Sequence, residues 1–131
     1  MARQGSVQTD LAPAAVGPYC QARWAGDFLF VSGQLGLDPR TGEFAGPGVA
    51  EEAGQALRNL NRILEAAGLE RGQVVKVTIF LTDMDDFGLV NEVYAGFFEG
   101  VSCLPARACV AVAALPKGGK VEIEALACRS S

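Results

Sequence analysis

The sequence predicts an α+β fold, one β-sheet with two helices packed on one face. Three observations carry this expectation. Apolar residues recur at helical spacing in two segments, they alternate or run β-branched in several short ones, and the resulting order is β-β-α-β-α-β-β. No repeat, low-complexity tract or linker interrupts the 131 residues, so residues 1–131 are expected to form a single domain. A chain of this length buries roughly two thirds of its unfolded surface.

Residues 20–32 read as a hairpin. Apolar and aromatic residues flank a Gly26-Asp27 turn, and Phe28-Leu29-Phe30-Val31 forms a strand that ends at Ser32. Residues 37–48 contain Asp38-Pro39-Arg40-Thr41-Gly42 and Gly46-Pro47-Gly48 and form a loop. Residues 50–67 form the first helix, with Ala53, Ala56, Leu57, Leu60, Ile63, Leu64 and Ala67 on one face. Glu51 and Glu52 open it and Gly68 stops it. Residues 73–81 form a strand with Val75, Val77, Ile79 and Leu81 on one face. Thr82-Asp83 caps a second helix that runs to about Glu99, with Phe87, Val90, Tyr94, Phe97 and Phe98 as its core stripe. Residues 106–114 and 121–128 are the last two strands, joined across Leu115-Pro116-Lys117-Gly118-Gly119-Lys120.

Composition narrows the function. Half of the residues are hydrophobic and mean hydropathy is +0.22, high for so small a domain, which points to apolar surface buried between subunits. No apolar run approaches the ~20 residues of a membrane span. Residues 1–19 hold one arginine and a Leu11-Ala12-Pro13-Ala14-Ala15-Val16 patch broken by proline, too weak for a secretory signal, so a cytoplasmic address is expected. Net charge is −4 and the isoelectric point about 4.8; Lys76, Lys117 and Lys120 are the only lysines and the arginines are scattered, which argues against nucleic acid as a partner. Cys20, Cys103, Cys109 and Cys128 show no CxxC spacing, and histidine is absent. Zinc-finger sites, Ser-His and Cys-His nucleophile pairs and histidine acid–base chemistry are thereby removed. No metal or cofactor is expected. The chemistry falls to Arg, Glu, Tyr, Ser, Asn, backbone groups and water.

Four positions place a polar group where periodicity expects none. Arg107 sits in Pro105-Ala106-Arg107-Ala108-Cys109-Val110-Ala111-Val112, which reads as a mostly buried strand. A guanidinium keeps its charge, and desolvating it without an anion is costly. Either Glu122 or Glu124 meets it in a salt bridge, or an anion arrives from outside. Asn91 lies four residues after Phe87 and three before Tyr94, inside the apolar stripe of the second helix, unless it bonds a nearby backbone group. Glu122 faces away from Val121 and Ile123, toward solvent or a site. Ser32 ends its strand, as turn-forming serines do, and Tyr19 follows Gly17-Pro18.

These pieces resemble a known family. Ala12-Pro13, Gly17-Pro18-Tyr19, Gln21-Ala22, Ser32-Gly33-Gln34, Asp38-Pro39-Arg40-Thr41-Gly42, Asn91-Glu92-Val93-Tyr94, Pro105-Ala106-Arg107 and Val121-Glu122-Ile123-Glu124-Ala125 stand in the order and spacing of the RidA (YjgF-type) reactive intermediate deaminases. The resemblance spans about residues 12–127. It implies a chorismate-mutase-like fold, a homotrimer with clefts between subunits, and a 2-imino or 2-enamino acid as the small-molecule partner. It implies that Arg107 binds the substrate carboxylate, assisted by the backbone N–H of Cys109, and that Ser32, Gly33, Tyr19, Asn91 and Glu122 line the cleft. The implied reaction has Glu122, with Tyr19, activate a water that attacks the imine carbon, releasing ammonia and a 2-oxo acid. Implied substrates are 2-aminoacrylate and 2-iminobutanoate, formed when pyridoxal-phosphate enzymes dehydrate serine or threonine. Two departures bear on substrate preference: Gly36 replaces a proline common in the family, and Cys20 follows the tyrosine where the family varies. Other functions compatible with the resemblance are an endoribonuclease or translation inhibitor, a non-catalytic metabolite-binding or chaperone-like trimer, and a pathway-specific relative acting on a larger imino acid.

Overall fold

The computed structural model describes residues 3–129, so the first two residues of the 1–19 segment lie outside it. Six strands form one sheet in the order β1-β2-β3-β6-β4-β5: β1 (Arg3–Val7), β2 (Ala22–Gly26), β3 (Phe28–Leu35), β4 (Val74–Leu81), β5 (Ala106–Ala111) and β6 (Val121–Cys128). All neighbours are antiparallel except β4 and β5, which run parallel through the intervening helix. The two helices are α1 (Val49–Ala66) and α2 (Phe87–Phe97). The α+β architecture expected from the sequence is therefore observed, with one strand more.

That extra strand, β1, pairs antiparallel with β2. Its sequence, Arg-Gln-Gly-Ser-Val, has no alternating apolar signal; it is recruited by the open edge of the β2–β3 hairpin. The hairpin itself turns at Gly26 with φ +61, a conformation that glycine adopts without steric cost.

The core lies between one face of the sheet and the helices. Trp24, Leu29, Val31, Val77, Ile79, Leu81, Val121 and Ile123 from the sheet meet Leu57, Leu60, Ile63 and Leu64 of α1 and Val90, Tyr94 and Phe98 of α2 in one cluster. Each such aliphatic side chain contributes about 1.5–3 kcal/mol on burial. In β4 the buried set is Val74, Val77, Ile79 and Leu81, whereas Val75 is exposed. The expected partnership of Val75 with Val77 fails because a register shift between Val74 and Lys76 inserts an extra residue and turns Val75 outward.

The second helix begins later than its cap. Asp83 accepts a hydrogen bond from the Asp85 amide and starts a short 3-10 turn, and the α-helix proper opens at Phe87. Phe87 is exposed rather than part of the core stripe, because at the first residue of α2 it lies beyond the covering sheet.

Two buried polar side chains of α1 fix the helix to the strand ends. Asn59 is fully buried; its Nδ2 donates to the carbonyls of Leu35 (3.1 Å) and Leu37 (2.9 Å), and its Oδ1 accepts from Gln55. Glu52 accepts from the Lys120 amide at 2.8 Å and pairs with its ammonium at 3.7 Å. Gly36, the departure noted above, lets α1 come close, since a Cβ there would fall on the Glu52 backbone. Asn59→Ala takes the side-chain donor from the buried Leu37 carbonyl and the half-buried Leu35 carbonyl and is expected to lower stability by about 1–3 kcal/mol. A urea titration reads this as a lower midpoint at unchanged slope.

No helix among the described residues is long and apolar enough to cross a membrane.

Candidate active site

Arg107 stands on β5, the edge strand, in register with Val77 of β4. Parallel partners share a face, so its side chain leaves on the helix side. The segment was expected to be mostly buried; within one chain β5 is exposed or half-buried along its length. The reason is topological: β5 pairs only with β4, and nothing among the described residues covers its outer edge.

No carboxylate meets the guanidinium among the described residues, and Glu122 and Glu124 lie on the other face. Instead Nη1 of Arg107 donates to Oδ1 of Asn91 at 2.7 Å, and the guanidinium carbon lies 4.8 Å from the Tyr94 ring centre and 5.6 Å from that of Phe87. These three partners are neutral. They hold the guanidinium without cancelling its charge. A recess of about 460 Å³ opens beside it, lined by Asn91, Tyr94, Phe98, Leu104 and Arg107.

The main chain adds a donor. The Val112 amide donates to the Leu81 carbonyl at 2.7 Å, toward β4. Successive amides along a strand point alternately to either side, so the N–H of Cys109 projects from the free edge. Its thiol turns inward against the core; burial pushes the thiol pKa up, and the Arg107 charge partly opposes that rise.

Glu122 pairs with Phe80 of β4, one residue out of phase with the buried Ile79–Ile123 pair, and so leaves on the open face. It lines a cavity of about 300 Å³ with Tyr19, Gly33, Gln34, Asp38 and Lys117. The fit at Gly33 is close: a Cβ there would lie 2.7 Å from the Glu122 carboxyl carbon. Only glycine lets the carboxyl lie against the backbone of β3. Burial raises the Glu122 pKa, and the charge of Glu124, two residues on along the same face, raises it further.

A base must be ionised, so a reaction in which Glu122 takes a proton weakens as pH falls through this raised value, above the ordinary carboxylate range. For folding, the sign is a penalty. It is absent below the ordinary carboxylate pKa, where both states hold the proton, and it grows as pH rises to the folded-state value. Glu124→Gln removes the like charge and is expected to move the acid limb of the kcat/KM profile to lower pH. An unmoved limb would show that Glu122 does not feel its neighbour.

Ser32 does not end its strand; β3 continues to Leu35 through a register shift between Val31 and Gln34. This bulge turns Ser32 aside, where its amide donates to the Gln21 carbonyl (2.9 Å) and its hydroxyl to the Cys20 carbonyl (2.7 Å). It lines a third recess on the open face, with Cys20, Lys76, Thr78 and Glu124. Tyr19 is exposed, and the chain before it is pinned by Gln21, whose side chain bonds to Thr9, Ala12 and Pro13.

One chain thus brings Tyr19, Gly33 and Glu122 together, and separately Asn91, Arg107 and the Cys109 amide, on opposite faces of the sheet. Phe87 and Tyr94, which flank the guanidinium, were expected only as core. Their spacing from Asn91, four residues before and three after, was the signal that could have found them. Gln21 and Lys117 carried none: a glutamine that anchors a loop and a lysine with φ 59 depend on backbone geometry that periodicity does not record. Among the described residues, no group of three or more Cys, Asp or Glu side chains is arranged to hold a metal ion.

The family described as Endoribonuclease L-PSP matches residues 9–129. The chain is 54% identical over 121 residues to a mouse (Mus musculus) protein named 2-iminobutanoate/2-iminopropanoate deaminase, covering 92% of this chain and 88% of the mouse protein. It is 48% identical over 125 residues to an Escherichia coli K12 protein of the same name, covering 95% and 97%. Its fold matches the crystal structure of E. coli TdcF with bound serine at TM-score 0.92 and 44% identity, covering 97% of this chain and 100% of that one.

Proposed function

The chain belongs to the Endoribonuclease L-PSP family, which takes in the RidA-type deaminases, and on that footing we propose that it hydrolyses 2-imino acids, and the 2-enamino acids in equilibrium with them, to 2-oxo acids and ammonia. The observation that carries this is Arg107, a guanidinium held by an amide oxygen and two aromatic faces, with no carboxylate on it among the described residues. Such a group is suited to the forked binding of a small carboxylate.

Glu122 and Tyr19 supply the other half. The substrate carboxylate sits on Arg107 and the Cys109 amide, and the enamine takes a proton at carbon to become the imine. Glu122 accepts a proton from a water as its oxygen bonds to the imine carbon. Glu122 returns that proton to the nitrogen, giving the carbinolamine. The carbinol hydroxyl then yields its own proton, by way of Glu122, to the same nitrogen as the C=O bond forms and the C–N bond breaks, and ammonia and the 2-oxo acid leave. Imine hydrolysis proceeds in water unaided, so orientation and one placed base suffice for a useful acceleration.

Because the two residue groups lie on opposite faces of one sheet, the complete site forms between copies of the chain, Arg107 from one meeting Glu122 from the next. The exposed Phe28, Phe30 and Val110 on the open face offer the apolar surface for that contact, and we take the assembly to be a homotrimer. A single-domain, cytoplasmic protein is consistent with the free thiols of Cys20, Cys103 and Cys109. The family description keeps the word endoribonuclease, but a chain with net charge −4 and no histidine is poorly equipped for RNA.

The test couples purified protein to a threonine dehydratase with semicarbazide present as an imine trap. The protein is expected to divert 2-iminobutanoate to 2-oxobutanoate and so lower semicarbazone formation. Unchanged trapping across protein concentrations would overturn the proposal.

A further inference from the structure

We propose that Tyr94 and Phe87 are positioning residues that aim Arg107, forming with Asn91 a neutral cradle on one face of α2. The inference rests on Arg107 as the carboxylate anchor and adds what makes that anchor work.

An arginine on an exposed edge strand has a long, freely rotating stem and no reason to hold one direction. A carboxylate partner would fix it but would compete with the incoming substrate. The three residues found here do something different. Phe87, Asn91 and Tyr94 fall at positions i, i+4 and i+7 of α2 and so share a face. The amide oxygen of Asn91 takes one guanidinium N–H at 2.7 Å, the Tyr94 ring lies 4.8 Å away and the Phe87 ring 5.6 Å. Of the five N–H groups of arginine, this uses one and leaves the others for an anion.

Tyr94 is the rigid member. It is 8% exposed, and its ring stands 4.9 Å from that of Phe98, itself buried, so it offers a fixed surface. Its hydroxyl is buried and has no hydrogen-bond partner among the described residues, so no contact to that oxygen explains why the ring sits there. Packing in the core fixes the ring, and one of its faces lies against the guanidinium. Burial also raises the phenol pKa, keeping the platform uncharged beside a cation that would otherwise draw the proton off.

The experiment compares Tyr94→Leu, Tyr94→Phe and Phe87→Leu with Arg107→Ala, following KM, kcat and thermal melting for each. Tyr94→Leu is expected to raise KM roughly two- to fivefold, the span an exposed cation–π contact commands, with kcat changed far less. Tyr94→Phe, which restores the ring, is expected to bring KM back toward the wild-type value. Phe87→Leu, at an exposed position, should raise KM by a smaller factor without moving the melt, and it carries the test if Tyr94→Leu fails to fold. A purely structural Tyr94 would lower the melting temperature and leave KM alone. Wild-type KM in folded Tyr94→Leu and Phe87→Leu, alongside an inactive Arg107→Ala, would overturn the cradle and spare the anchor. An active Arg107→Ala would remove the anchor itself.

Discussion

Arg107→Ala is expected to remove deamination, with kcat/KM falling roughly 10²- to 10³-fold, the cost of taking away one partner of a desolvated charge pair. The fold should survive. Arg107 is exposed on the edge strand and makes one side-chain hydrogen bond among the described residues, so thermal melting is expected to change little. Arg107→Lys keeps the charge but offers no planar fork and loses the flat contact with the rings of Tyr94 and Phe87, so a loss of about tenfold is expected, mainly in KM. Steady-state kinetics on a 2-imino acid made in situ, beside a melting curve, checks both. Wild-type rates in Arg107→Ala would take the anchoring role away from this residue.

Glu122→Gln is expected to lower kcat about 10²- to 10⁴-fold, the range of a placed general base, and to leave KM nearly unchanged, because the carboxylate anchor lies elsewhere. The acid limb of the pH profile should vanish with it, since no titrating base is left. This variant also tests where the site lies. If Arg107 of one copy works with Glu122 of the next, mixing the inactive Arg107→Ala and Glu122→Gln chains restores clefts that carry both native residues. Random assembly of equal amounts into trimers yields about a quarter of all clefts intact. Activity near that fraction after unfolding and refolding the mixture is the expected result. A mixture as dead as its parents would place both residues' work within one chain and contradict their opposite faces.

Much of the fold was legible because two periodicities dominate it. The buried faces of α1, β4 and β6 follow from Leu57, Leu60 and Leu64, from Val77, Ile79 and Leu81, and from Val121 and Ile123, whose spacing leaves little choice. The hairpin was legible from Gly26-Asp27. What escaped was decided by pairing. Arg3–Val7 becomes a strand because β2 presents an edge, not because of its own side chains. Val75 and Ser32 are turned by register shifts that no alternation pattern announces, and Phe87 is left outside by the limits of the sheet. At the site, Arg107 was conspicuous as a charge in an apolar strand. Its neighbours were not, because an aromatic residue in a helical stripe reads the same whether it packs a core or backs a cation.

The outward-facing amide at position 109 has a consequence for how this chemistry persists under sequence drift. A contact made by the main chain is indifferent to the residue that hosts it: serine, alanine or valine at this position would project the same N–H from the free edge of β5 toward the proposed substrate. Proline alone, having no such hydrogen, erases it. Inventories of matching letters therefore undercount what two chains share here, and an ester in place of that one linkage, installed by chemical synthesis, would reveal what no codon change except proline can.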